Sequence, residues 1–156
     1  MKQLLIGVSV FVLTLAVAGV LSAQSDRRIG TWKLNVAKSS GAAPRKSETR
    51  TYEASGDTIT MHSEVVNSDG SKQAYGVTEK TDGKDNPFTG QPPGGAETTS
   101  VKRVGKTFIS ENKKGGKLLF TARETLSNDG KVMTFTTKGT DANGQPVSSV
   151  RVYEKQ

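Results

Sequence analysis

The sequence predicts an all-β fold, an antiparallel up-and-down meander of about eight to ten strands closed into a barrel, and three observations carry that reading. Turn residues recur at short intervals, in Ser55-Gly56-Asp57, Asp69-Gly70, Asp82-Gly83, Gly105-Lys106, Gly115-Gly116, Asp129-Gly130 and Asn143-Gly144. Asp-Gly and Asn-Gly suit the positive φ values of a type I′ hairpin turn, so consecutive strands pair antiparallel. Between the turns apolar residues alternate with a period of two, and no window of useful length repeats them at helical spacing.

The chain opens with Met-Lys-Gln, runs from Leu4 to Leu21 without a charge and continues Ser22-Ala23-Gln24. These are the charged, apolar and small-residue parts of a secretory signal, with cleavage expected after Ala23; a retained anchor is the alternative. Residues 24–156 then form a single domain, secreted or periplasmic, with no membrane span left after cleavage. No cysteine occurs, so no disulfide staples the fold. Apolar residues make up 33% of the chain, and about a quarter of residues 24–156. So thin a supply fits a barrel with a partly polar or wet interior better than a tightly filled sandwich.

Strands are expected near residues 29–37, 46–54, 57–66, 71–80, 97–104, 106–113, 117–127, 131–139 and 146–155. Alternation groups Trp32, Leu34 and Val36 on one face of the first strand. It does the same for Ile59, Met61 and Val65, for Tyr75 and Val77, for Leu118, Phe120, Ala122 and Leu126, and for Met133 and Phe135. In the last strand Val150 and Val152 join this core set, which sends Arg151 and Tyr153 to the opposite face unless a bulge changes the parity. A long connection from Thr81 to Glu97 carries Pro87, Pro92, Pro93 and Gly94-Gly95, with Phe88 placed to plug one end. The stretch Ser39 to Lys46 is irregular.

Few chemistries are open to this composition. His62 is the only histidine and is expected on the surface; with no thiols, no usual zinc set and no Ser-His-Asp device can be assembled. Asp82 with Asp85, and Asp141 with Asn143, read as turns because they lack the acidic series and closing Glu of a calcium loop. Ser110 and Lys113 match a Ser-x-x-Lys spacing without its companion motifs. Gly105-Lys106-Thr107 lacks the leading Gly of a phosphate loop and reads as a hairpin turn. The net charge of +7 and pI near 9.7 come from scattered Lys and Arg with no interleaved aromatic series, which argues against nucleic acid as a partner. No cofactor and no catalytic set is expected.

Arg151 and Tyr153, two apart, share a face of the last strand, where a guanidinium fork and a phenol could hold a carboxylate. The opening Ile29-Gly30-Thr31-Trp32-Lys33-Leu34 resembles the Gly-x-Trp first strand of lipocalins and fatty-acid-binding proteins. The closing Val150-Arg151-Val152-Tyr153-Glu154-Lys155 is similar to the Arg-x-Tyr last strand of the latter. Arg123-Glu124, with Asp129-Gly130-Lys131 and Lys138-Gly139-Thr140, is similar to their segment bearing a second internal arginine. Gly30 to Asn35 and Asp82 to Pro87 also resemble stretches of small secreted bacterial lipocalin-like proteins.

The resemblance implies a lipocalin-like (calycin) barrel whose first and last strands are neighbours, with Arg123, Arg151 and Tyr153 turned inward as a carboxylate clamp. Trp32, Tyr52 and Tyr75 are further wall candidates. Residues 38–46 are too short for the helix pair that lids fatty-acid-binding proteins, a family normally intracellular. The expected function is non-catalytic binding of a small amphipathic, lipid-like carboxylate by a monomer. The rival is an envelope-associated structural or protein-interaction barrel without an internal ligand.

Overall fold

The computed structural model describes residues 26–41 and 43–156, so the expected leader and the cleavage expected after Ala23 lie outside the described residues. Eleven strands run in the order β1 (Gly30–Gly41), β2 (Arg45–Ser55), β3 (Thr58–Asn67), β4 (Lys72–Glu79), β5 (Asp82–Pro87), β6 (Thr89–Gly90), β7 (Thr98–Val104), β8 (Thr107–Lys114), β9 (Lys117–Leu126), β10 (Val132–Thr140) and β11 (Pro146–Lys155). All pairings are antiparallel, in one sheet ordered β5-β7-β8-β9-β10-β11-β1-β2-β3-β4-β6. The first and last strands join mid-sheet, Trp32 opposite Lys155 and Leu34 opposite Tyr153. The sheet ends in β5 and the two-residue β6, and β5 contacts β4, the strand beside β6, without strand pairing, leaving a nearly closed barrel. Among the described residues no helix is long and apolar enough to cross a membrane.

The turn chemistry acts where alternation placed it. Gly70 and Gly130 take φ of 90° and 72°, which a Cβ would strain, at the β3–β4 and β9–β10 hairpins. Asp141 Oδ1 accepts from the backbone N–H of Asn143 (2.8 Å) and Gln145 (2.9 Å), so it shapes the β10–β11 turn. Two strands beyond the expectation come from the connection Thr81–Glu97, which is not a plain loop. Its first part forms β5 against β7, Thr89–Gly90 adds β6 to β4, and a single 3₁₀ turn follows at Pro93–Gly95. The stretch at 39–46 is likewise more regular than expected, since β1 runs to Gly41 and β2 starts at Arg45.

The core gathers Trp32, Tyr52, Ile59, Met61, Val65, Tyr75, Val77, Met133 and Tyr153. Four residues of the apolar alternation behave otherwise. Val36 is exposed because β1 bulges between Asn35 and Ser40, and Ser39 Oγ accepts from the Val152 N–H at 3.0 Å to hold the bulge. Leu118 is exposed near the start of β9, beside a register shift in the β8–β9 pairing. Val150 faces outward and Val152 is only half-buried, because Ser149, Arg151 and Tyr153 take the inner face of β11. The parity inferred from the valines is therefore reversed on that strand. The physical reason is that this interior is lined by charge as well as by hydrocarbon, so apolar character no longer marks the inside.

Candidate functional site

Alternation along β2 sends Glu48, Arg50 and Tyr52 into the barrel, and all three are buried. A buried carboxylate is costly unless it is paired and hydrogen-bonded, and Glu48 is both. Its Oε1 accepts from Arg50 Nε (2.7 Å), Ser63 Oγ (2.8 Å) and Tyr75 Oη (3.4 Å); its Oε2 accepts from Tyr153 Oη (2.6 Å) and from Arg45 Nη1. Burial opposes ionisation of Glu48, but the charges of Arg50 and Arg45 outweigh it and hold the carboxyl well below the usual range. The Arg50 guanidinium lies 4.6 Å from the Phe135 ring centroid and 4.8 Å from that of Tyr153, and it donates to Tyr75 Oη at 3.0 Å. Burial pushes the Tyr153 phenol well above its ordinary value, so it stays a proton donor to Glu48.

Arg151 stands beside this cluster, half-buried on β11, donating to Ser149 Oγ and to the Ala43 carbonyl (3.3 Å). Its pKa is lowered, first by burial and then by the charge of Arg45. This end of the barrel thus gathers Arg45, Arg50 and Arg151 around one carboxylate.

The other end has the opposite composition. Arg28, in the segment leading into β1, is fixed by its own carbonyl accepting from Trp32 Nε1 at 2.7 Å. Its guanidinium lies 3.8 Å from the Phe108 ring centroid. Arg28 donates to both oxygens of Asp26 and to Glu79 Oε1 (3.0 Å), and its Nε stands 3.9 Å from Glu124 Oε1. Three carboxylates share one guanidinium. Burial therefore prevails at Glu79, whose pKa rises to about 7, and at Glu124, which is also raised. Glu124 Oε2 accepts from Tyr52 Oη at 3.2 Å, while Oε1 is buried with no hydrogen-bond partner.

Between the two ends lies a cavity of about 120 Å³. Arg45, Arg50 and Arg151 line one side of its polar wall and Arg28, Glu79 and Glu124 the other; Met61, Val77, Phe88, Phe108, Phe120 and Phe135 supply the apolar wall. Phe88 is half-buried and packs edge-on against Tyr75, with centroids 6.1 Å apart. An apolar cavity of roughly 150 Å³ holds a single benzene ring, so this volume suits a small ligand.

Of the residues singled out from the sequence, Arg151, Tyr52 and Tyr75 line the cavity. Tyr153 is buried just behind it on Glu48, and Trp32 is buried beneath, bonded to Arg28 and covered by Lys155 Nζ at 5.2 Å. Arg123 is exposed: Ala122 and Glu124 take the inner face of β9, so the interior charged group of that strand is Glu124. His62 is exposed as well. Sequence reasoning missed Arg28, Arg45, Glu48, Arg50, Glu79 and Glu124. The last lies on the same alternating face as Phe120 and Ala122, and Glu48 and Arg50 precede Tyr52 at spacing two, so the signal existed for half of them.

No known protein-family profile matches the chain, and no curated protein matches it in sequence. Solved structures do. Fatty-acid-binding protein 1 of Echinococcus granulosus superposes with a TM-score of 0.60 at 17% identity, covering 83% of this chain and 97% of that one. Rv2717c of M. tuberculosis gives 0.57 at 13%, covering 89% and 98%. Zebrafish ileal bile-acid-binding protein, solved with cholic acid, gives 0.53 at 14%, covering 83% and 99%. Identities this low speak to the fold alone, and the fold is a barrel like those of the fatty-acid-binding and bile-acid-binding proteins above.

Proposed function

We propose that this barrel binds a small amphipathic anion, its acidic group against Arg151 and Arg45 and its apolar part along Phe135, Phe120 and Phe88. One observation carries the reading: at one end of the cavity three guanidinium groups gather around a single carboxylate, Glu48, which already accepts five hydrogen bonds. An incoming anion would offset the mutual repulsion of Arg45 and Arg151, and its charge would counter the effect of burial on Arg151. The fatty-acid and bile-acid binding named for two similar structures supports an acid as ligand. The volume of about 120 Å³ favours a compact or short-chain acid over one of bile-acid size. Tyr153 serves this site indirectly, by holding Glu48 in place, and Arg123 has no part in it. The Lys2, Leu4–Leu21 and Ser22-Ala23-Gln24 pattern supports an exported binder.

Calorimetric titration with hexanoate tests the binding. Saturable binding is expected in the wild type, weakened by about tenfold or more in Arg151→Ala, the range for a charge-assisted bond. Absence of saturation, or equal affinity in the variant, rejects the assignment. Export is checked by the intact mass of the protein recovered outside the cytoplasm, which should begin at Gln24; a full-length cytoplasmic product contradicts it.

A further inference from the structure

We propose that the cavity also reads the far end of its ligand, Glu124 accepting a hydrogen bond from an amine or hydroxyl on an otherwise anionic molecule. This rests on the anion-binding reading above and narrows the ligand class from a simple acid to a bipolar one.

The first support is an orphaned atom. Glu124 is fully buried and lines the cavity; Tyr52 satisfies its Oε2, but Oε1 has no partner and Arg28 Nε stays 3.9 Å away, beyond hydrogen-bond reach. A simple fatty acid would set hydrocarbon against that oxygen and leave it desolvated and unpaired. A ligand donor would satisfy it.

The second is registry. Phe108 pairs with Glu124, Glu124 with Phe135 and Phe135 with Arg151, so the four form one transverse row across β8, β9, β10 and β11. All four line the cavity. Adjacent strands lie about 4.8 Å apart, which places the backbones of Glu124 and Arg151 roughly 10 Å apart. With both side chains reaching inward, the span suits a ligand of a few carbons laid over the Phe135 ring.

The third is charge. Asp26, Glu79 and Glu124 share Arg28 at one end, while Arg45 and Arg50 share Glu48 at the other, with Arg151 beside them on the cavity wall. A molecule with an anion at one end and a donor at the other matches both ends at once.

The experiment compares matched probes on the folded wild-type protein by calorimetry: butanoate to hexanoate, and the terminal-amino and terminal-hydroxy acid of each length. At the best length, the amino or hydroxy acid should bind about tenfold tighter than the plain acid, because it pairs a buried acceptor that the plain acid strands. If Glu124 is not contacted, desolvating the added polar group reverses the order. Plain acids binding as tightly as, or tighter than, both counterparts at every length overturns the proposal while leaving anion binding intact. Failure of all probes to bind removes the anion reading and this inference with it. Which of the two counterparts gains more distinguishes an amine from a hydroxyl. In Glu124→Leu, which removes the acceptor, the ratio between the amino and the plain acid should fall to one or below, and an unchanged ratio also overturns the assignment. The wild-type comparison decides the matter even if that variant folds poorly.

Discussion

The two ends of the barrel interior use the same side chains in inverse proportion. Around Glu48, guanidinium groups outnumber carboxylates, and the carboxylate is held ionised; around Arg28, carboxylates outnumber guanidinium groups, and Glu79 and Glu124 are pushed towards the neutral form. Burial is the same force in both places. What differs is whether enough opposite charge is present to overcome it. A buried carboxyl group in this barrel is therefore a structural anchor at one end and a proton-sensitive, partly unsatisfied group at the other.

The largest expected effect separates the two directly. Glu48→Gln strands Arg45 and Arg50 without a counter-charge and should lower stability by about 3–5 kcal/mol in urea unfolding, whereas Glu79→Gln removes a charge that burial already disfavours and should cost far less. Equal losses in the two variants would contradict the asymmetry.

The next effect is in pH. The Glu79 carboxyl is raised from an ordinary value of 4.5 to about 7, so between those values the folded protein keeps a proton that the unfolded chain gives up. Its stabilisation is complete below pH 4.5 and is lost as the pH rises through 7, by about 3 kcal/mol in all. Glu48 runs the other way: its pKa is depressed, so its contribution is present above the unfolded carboxylate range and fades as the pH falls below it. Thermal unfolding should show stability declining from about pH 5 to 7, and Glu79→Gln should flatten that slope in part, since Glu124 is shifted in the same direction. A wild-type slope unchanged by the substitution counts against the acidic end as described.

Smaller still is the pair of phenols. Tyr153→Phe removes a 2.6 Å donor from the ionised Glu48 and should cost about 1.5–3 kcal/mol, more than Tyr52→Phe, whose bond to Glu124 is 3.2 Å long. The reverse order in denaturant midpoints would mean that the two carboxyl groups have been assigned the wrong protonation states. Val36→Ser and Leu118→Ser, at exposed positions outside both clusters, should stay within about 0.5 kcal/mol of wild type.

The strand plan was legible because it is local chemistry. Asp-Gly and Asn-Gly turns and the alternation of Ile59, Met61 and Val65 need no tertiary information. The joining of Trp32 and Tyr153 on neighbouring strands came from family resemblance, and the structure places them there. The site was harder to read, because its inner face is marked by Glu48, Arg50, Arg151 and Glu124 in the places where apolar residues usually mark a core. On β11 this misdirected the alternation, since Val150 and Val152 carry the apolar signal while Tyr153 carries the burial. Arg28 and Glu79 met no sequence rule at all: they are 51 positions apart and come together only when the barrel curls. Resemblance also named Arg123 where parity favours its neighbour Glu124, an error of one residue that crosses the sheet.

A paired hexanoate titration of Arg151→Ala and Arg123→Ala bears hardest on the anion site. Arg151→Ala is expected to weaken binding by about tenfold or more, while Arg123→Ala, on the outer face, binds as wild type does. Equal effects from the two substitutions, or a larger loss from Arg123→Ala, would contradict an anion held by Arg151 inside the barrel.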